Sequence, residues 1–285
     1  MHKGLKRRQG GMAAKKIAIL GSTSHIAKGL IYNISKNDRY DATLFARNIK
    51  AARPLEEFNK GKYEVVINCI GSTSEITEKY DALTLDYLKV NPSALCINFS
   101  SGVVYIESES PYKTAKIQSE VKHREHPDLN IIDLRLFAYF SRFIDLESEY
   151  FITEIIRCVK NKSDFVTGPD DMTRDYVHPQ DLFLLVEKCI EKHRINDVYD
   201  VYSLKPATKY EILDYFKKVY GLRVVIKDDI LISSPTGDKL NYYSENKKAQ
   251  DLGYYPKFTS LDCISEESCY FLSSHGNGCN LRKMS

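Results

Sequence analysis

The chain has 285 residues, 43% of them apolar and 28% charged, with a formal net charge of +3. That length suffices for one large core or two small ones, and no apolar run approaches the roughly 20 residues that a membrane-spanning helix needs. Residues 1–16 hold Lys3, Lys6, Arg7, Arg8, Lys15 and Lys16 with no acid, so the rest of the chain carries −3 and lacks the clustered basic charge that nucleic acid requires.

Residues 1–14 read as a disordered basic leader, too poor in apolar residues for a signal peptide. Lysines and isoleucines then give way to a first strand over residues 16–20, which ends at Gly21. A helix is expected over 26–35, with Ile26, Leu30 and Ile34 on one face. Strands follow over 42–46, 63–70 and 94–99, then a charged helix containing Lys116 to His123, then a strand over 129–135. Such alternation predicts βαβ units and an α/β fold: a Rossmann-type, doubly wound parallel sheet covered on both faces. After about residue 165 the alternation loosens, with helices expected over 181–193 and 209–219. The organisation expected is a dinucleotide-binding domain over 15–167, a smaller substrate lobe over 168–273 interleaved with it, and a tail over 274–285. Seven cysteines, an odd number without any C-x-x-C, predict a reducing cytoplasm with neither a disulfide framework nor a zinc site.

The turn Gly21-Ser22-Thr23-Ser24-His25-Ile26-Ala27 joins the first strand to the first helix. Only its first position has the glycine of a dinucleotide fingerprint, but Ser24 and Ala27 are small, and the hydroxyls stand beside a helix N-terminus that favours an anion. A serine-rich turn that simply caps its helix is the alternative. At the end of the second strand stands Arg47, where an acid would bind the adenosine ribose of NAD; a planar cation there suits the 2′-phosphate of NADP. Tyr112 and Lys116 are four apart, hence one helical turn apart on one face. A nearby ammonium should lower the pKa of a phenol and bring it towards the range useful for proton transfer.

Together these segments resemble the extended short-chain dehydrogenase/reductase family, in its nucleotide-sugar epimerase, dehydratase and reductase branch. Phe99-Ser100-Ser101-Gly102 resembles the serine-bearing end of the fifth strand, and Tyr112 and Lys116 match the Tyr-x-x-x-Lys pair. Asn68-Cys69-Ile70-Gly71 is similar to the turn against the adenosine and ribose, and Leu134-Arg135-Leu136-Phe137 to the strand end that approaches the nicotinamide. Thr173-Arg174-Asp175 is similar to the segment that opens the substrate lobe. The resemblance implies hydride transfer between a nicotinamide and a sugar carbon, with Tyr112 moving the proton, Lys116 assisting it and Ser101 holding the reacting oxygen. Gly102-Val103 stands where 4,6-dehydratases carry an Asp-Glu pair and where epimerase-reductases carry a cysteine, which argues against both reactions.

The expectation is therefore NADPH-dependent reduction of a nucleotide-linked 4-keto sugar, with NAD-dependent 4-epimerisation as the alternative and a non-catalytic NADP sensor as a third reading. Arg174 is expected on the substrate diphosphate, or else paired with Asp175 between the lobes. Arg142 is a candidate for the substrate cleft, Thr73 a weaker one, and His178 is expected to be structural. The tyrosine pairs 242–243 and 254–255 could stack on a base or pack in the core. A homodimer through helices flanking the sheet is implied by the family.

Overall fold

In the first strand Ile17 and Ile19 point to one face and Ala18 and Leu20 to the other, and all four are fully buried. A strand apolar on both faces needs cover on both, and the computed structural model supplies it. The structure describes residues 13–47, 52–71, 74–107, 109–192, 194–228 and 240–273. Residues 1–12 of the leader, the tail from 274, Thr73 and most of the loop before Leu240 lie outside the described residues.

The first half runs β1 (Lys15–Leu20), α1 (His25–Ile34), β2 (Tyr40–Ala46), β3 (Arg53–Pro54), β4 (Val65–Asn68), α2 (Ser74–Val90), β5 (Leu95–Ser101), α3 (Pro111–Arg124) and β6 (Asn130–Leu136). The second half runs β7 (Ala138–Tyr139), α4 (Phe151–Asn161), β8 (Phe165–Thr167), β9 (Thr173–Arg174), β10 (Tyr176–Val177), α5 (Pro179–Ile190) and β11 (Asn196–Val201). It closes with β12 (Ala207–Thr208), α6 (Lys209–Tyr220), β13 (Val224–Ile226), β14 (Asn241–Tyr242) and α7 (Ser260–Leu272). No helix among the described residues is long and apolar enough to cross a membrane.

The main sheet is parallel throughout, in the order β11-β6-β5-β4-β1-β2-β3. This is the Rossmann-type doubly wound arrangement expected from the sequence. Its last strand, β11, comes from the second half of the chain. Ile17, Ile19, Ile67 and Ile97 face Leu30 of α1 and Leu182 and Leu185 of α5, while Ala18, Leu20 and Val66 face Leu88 of α2. A third apolar cluster joins Ile155 and Ile156 of α4, Leu213 and Phe216 of α6 and Ile264 of α7, all in the second half of the chain.

Some bounds differ from expectation. β5 runs on to Ser101, because Ser100 and Ser101 continue the ladder opposite Arg135 and Leu136 of β6. α5 begins at Pro179 rather than 181, with the His178 side chain accepting from the Gln180 amide as its cap. α2, α4 and α7 have no counterpart among the expected elements. Cys269 is disulfide-bonded, whereas the cysteine pattern predicted no disulfide framework; Cys69, Cys96, Cys158, Cys189 and Cys263 are free.

A buried polar ladder crosses the sheet beneath the site. Asn68, Asn98 and Asp133 are register partners on β4, β5 and β6. Asn68 donates to Asn98 at 3.0 Å and Asn98 to Asp133 at 2.8 Å. Asp133 is also bonded to Arg124 and to Nδ1 of His123 on α3. At the other end, the side-chain Oδ1 of Asn68 accepts from the Ile70 amide and so shapes the turn after β4. Asn68, Asn98 and Asp133 thus each have partners, as burial demands.

Burial works against a charged His123, but its bond to Asp133 outweighs that and raises its pKa above 6.5. A group raised on folding contributes stability that is complete below its unfolded pKa and fades as pH rises through the folded one. His123→Gln should therefore lower the urea midpoint more at about pH 5.5 than at about pH 9, as equilibrium unfolding of both proteins at the two pH values will measure.

Candidate active site

Strand order reverses between β1 and β4, and their carboxyl ends frame the crevice where open α/β sheets bind ligands. Gly21 ends β1 at φ +71°, and a Cβ there would lie 2.7 Å from Ile70 Cγ1 and 3.2 Å from the Cys69 carbonyl. Only glycine satisfies both the left-handed backbone and the close approach. Ser24 caps α1 by accepting from the Ala27 amide at 3.2 Å. The amides of Thr23, His25 and Ile26 make no hydrogen bond among the described residues, so three donors remain at the positive end of the helix. Ser22 is buried with its amide on the Phe45 carbonyl, and the exposed Thr23 turns outward. This cradle fits a dinucleotide pyrophosphate.

The close packing that the fingerprint assigns to small residues falls to Ala27, fully buried, and to Gly29, where a Cβ would overlap the Tyr139 hydroxyl. His25 brings no cation to the turn. Its Nε2 meets Ser141 Oγ at 2.7 Å, its ring packs on Tyr139, and burial lowers its pKa to about 4.

Lys116 comes up through the sheet edge from α3. Its ammonium donates to the Phe99 carbonyl at 2.7 Å and passes under Gly71, where a Cβ would lie 2.7 Å from Nζ. Burial lowers its pKa, opposed by Asp81, Asp133 and Glu120. Nζ is 5.8 Å from the centre of the Tyr112 ring. The expectation that this ammonium pulls the phenol down is corrected: burial raises Tyr112, and the force opposing it is a hydrogen bond with Ser101.

Ser101 is buried at the end of β5. Its Oγ accepts from the Val103 amide at 3.3 Å and meets the hydroxyl of Tyr242 at 3.1 Å. Burial raises Tyr242 to about 12, which keeps its phenol protonated. Either hydroxyl can donate between Ser101 and Tyr242, and Ser101 also bonds Tyr112. Tyr242, read from the sequence only as a possible base-stacking or core tyrosine, is brought to Ser101 by the fold. It lies 141 residues from Ser101 and reaches it because β14 pairs with β9, Tyr242 opposite Arg174; the pair 242–243 offered no signal beyond aromatic content.

Other expected residues are placed differently. Ser100 faces away from Ser101, as alternation along a strand requires, and donates to Glu120 at 2.5 Å. The Cys69 thiol is buried and pushed far up, so Cys69 offers only its backbone. Leu136 is the register partner of Ser101, and Phe137 lies over Gly102. Arg47 is exposed at the end of β2 with no bond or ion pair among the described residues. Arg142 is held away from the cleft: its amide and guanidinium take Glu267 of α7 at 2.5–3.0 Å, and it stacks on Tyr270. His178 is buried, stacked on Phe258 and lowered to about 4 by burial, which suits a structural role.

Arg174 and Asp175 do not pair with each other. Asp175 accepts from the Ser203 amide, while Arg174, only 8% exposed, donates to the carbonyls of Thr173 and Leu240. Among the described residues no carboxylate lies within ion-pair distance of it, and burial lowers its pKa.

No protein-family model matches the sequence, and no curated protein matches it significantly. Solved structures do match it in three dimensions. A UDP-N-acetylglucosamine 4-epimerase from Methanobrevibacter ruminantium, in complex with UDP-N-acetylmuramic acid, superposes with a TM-score of 0.76 at 18% identity, over 93% of this chain and 100% of the other. A UDP-glucuronic acid 4-epimerase from Bacillus cereus, in complex with UDP-glucuronic acid and NAD, gives 0.74 at 17%, over 90% and 98%. A dTDP-glucose 4,6-dehydratase from Bacillus anthracis, in complex with NAD, gives 0.74 at 14%, over 92% and 97%. The chain has the fold of these nucleotide-sugar enzymes. It is the architecture that the resemblance to extended short-chain dehydrogenases/reductases implied.

Gly102 leaves no room for the acid of a dehydratase, since a Cβ there would lie 2.3 Å from Phe137 Cδ1. Gly102→Ala should cost about 1–3 kcal/mol of stability through overpacking, read as a lower urea midpoint at unchanged slope.

Proposed function

We propose that the protein is an NAD(P)-dependent oxidoreductase of the extended short-chain dehydrogenase/reductase family, that it acts on a nucleotide sugar, and that its reaction is 4-epimerisation. The observation that carries this is the composition of the site around Ser101. Tyr112 and Lys116 stand beside it, and Gly102 under Phe137 excludes a further acid or base. Such a set can move one proton and one hydride at a single carbon, and nothing more. Reduction and epimerisation share that chemistry. The preference for ketoreduction drawn from the sequence yields to epimerisation because several structures sharing the fold are 4-epimerases.

In this reading NAD, when bound, supplies the hydride acceptor and donor, with its pyrophosphate on the Thr23, His25 and Ile26 amides. Tyr112 would take the proton of the C4 hydroxyl when that carbon is oxidised to the ketone and return it to the same oxygen when the carbon is reduced again. Ser101 donates to that oxygen. The proton-accepting step needs the phenolate, which burial disfavours and the hydrogen bond with Ser101 favours. Arg174, a buried guanidinium without a carboxylate among the described residues, offers its fork to the substrate diphosphate.

NADPH-dependent reduction of a 4-keto sugar is the second reading, favoured by Arg47 at the end of β2 with no acid beside it in β2 after Asp41. A homodimer is proposed through the outer face of α3, where Ile117 and Val121 are 37% and 52% exposed.

Incubation with NAD and UDP-glucose, UDP-N-acetylglucosamine or UDP-glucuronic acid should give the C4 epimer by NMR, without accumulation of NADH. Net NADPH consumption with a nucleotide-linked 4-keto sugar, and no interconversion of epimers, would establish the reductase instead. Tyr112→Phe should lower turnover by about 10²–10⁴-fold with cofactor binding intact by fluorescence titration; unchanged turnover would remove Tyr112 from the mechanism, and loss of binding alone would favour the sensor.

A further inference from the structure

We propose that Tyr105 is a positioning residue that fastens the segment 241–246 of the second lobe onto the sheet, so that Tyr242 stays on Ser101. The inference deepens the reading of Ser101 as the hydroxyl that holds the reacting oxygen, and rests on it.

Tyr105 ends the short 3-10 turn Gly102–Tyr105 that follows β5. Its hydroxyl accepts from Arg135 Nη1 at 2.6 Å and lies 3.0 Å from Asp200 Oδ1. A guanidinium can only donate, so the phenol proton is directed to Asp200. Arg135 is itself held by Glu120 of α3 at 2.5 and 2.9 Å, which makes the sheet side of this joint rigid. The other oxygen of Asp200, on β11, accepts from Ser244 Oγ at 2.6 Å, and that hydroxyl accepts from the Asn246 amide at 3.0 Å. Ser244 is two residues beyond Tyr242.

The ring of Tyr105 makes a second connection to the same segment. It stacks on Phe137 at 6.0 Å and 13°, and Phe137 packs on Tyr242 at 5.1 Å. Offset aromatic pairs of this kind hold both distance and orientation. One residue therefore reaches the segment twice, through Asp200 and Ser244 and through Phe137 and Tyr242. The Tyr242 hydroxyl then meets Ser101 Oγ at 3.1 Å.

The consequence falls on one hydroxyl. Tyr242 and the Val103 amide both hold Ser101 Oγ, which restrains that hydroxyl beside Tyr112 and the reacting oxygen. If Tyr242 moves off, the hydroxyl regains a free rotor and loses that restraint. Tyr105 is half exposed, so water can take over its bonds when they are cut. A mere surface brace would then leave 241–246 unaffected.

Tyr105→Phe separates these cases, since it keeps the stacked ring and removes both hydrogen bonds. Hydrogen–deuterium exchange of the full chain should show amides of residues 241–246 exchanging about fivefold faster, the effect of about 1 kcal/mol of lost bonding, with residues 95–101 unchanged. Turnover should fall by a similar factor, with KM and melting temperature close to wild type, and Tyr242→Phe should reproduce the loss of turnover. Unchanged exchange over 241–246, or faster exchange over 95–101 as well, overturns the proposal. If the wild-type protein converts no nucleotide sugar, the functional reading fails by itself, while the exchange of Tyr105→Phe still decides whether the fastening exists.

Discussion

Reversal of strand order between β1 and β4 is the constraint on which the site depends. Helices on either side of that point leave a crevice at the carboxyl ends of the strands, and the turns after β1, β4 and β5 all open into it. Gly21 lets the first turn lie against the second, and Gly71 lets Lys116 rise between the second and the third. Because each strand is buried on both faces, none of these turns can shift without disturbing the packing beneath. The ladder from Asn68 through Asn98 to Asp133 adds direction to that packing, since it holds the turn after β4 by a hydrogen bond to the Ile70 amide.

The cations around the cleft differ in what holds them. The partly buried Arg142, Arg135 and Arg124 each hold a carboxylate, Glu267, Glu120 and Asp133 respectively. Such pairs offset the large cost of taking charge out of water. Lys116 has no carboxylate in contact, but it lies in the field of Asp81, Asp133 and Glu120. Arg174 has only carbonyl oxygens and nearby phenols. The two cations left without a direct counter-charge among the described residues of this cleft are the ones to which the resemblance gives a task.

The second lobe enters the site by way of short strands. β9 carries Arg174, and β14 lays Tyr242 beside it. Phe137, at the end of β6, fills the space over Gly102 and supports Tyr242 from below. The result is a chain of contacts from the surface phenol of Tyr105 to the buried hydroxyl of Ser101, built from residues of β5, β6, β11 and β14.

Local pattern determined a great deal by itself. β-Branched runs bounded by turn residues gave five of the seven strands of the parallel sheet, without β3 and β11, and Gly21, Ser101, Tyr112 and Lys116 stand out because their spacing relative to those strands is short and regular. What lay beyond the sequence depends on contacts between distant residues. Ser100 and Ser101 are chemically alike, and only strand alternation and Glu120 on α3 send one hydroxyl away from the cleft. Arg174 is expected on the diphosphate and Arg142 is only a candidate for the cleft, and the tertiary placement of Glu267 neutralises Arg142. The direction of the Tyr112 shift and the arrival of Tyr242 were decided by burial and by pairing across more than a hundred residues, because desolvation and long-range register are properties of the packed chain and leave no local trace in its sequence.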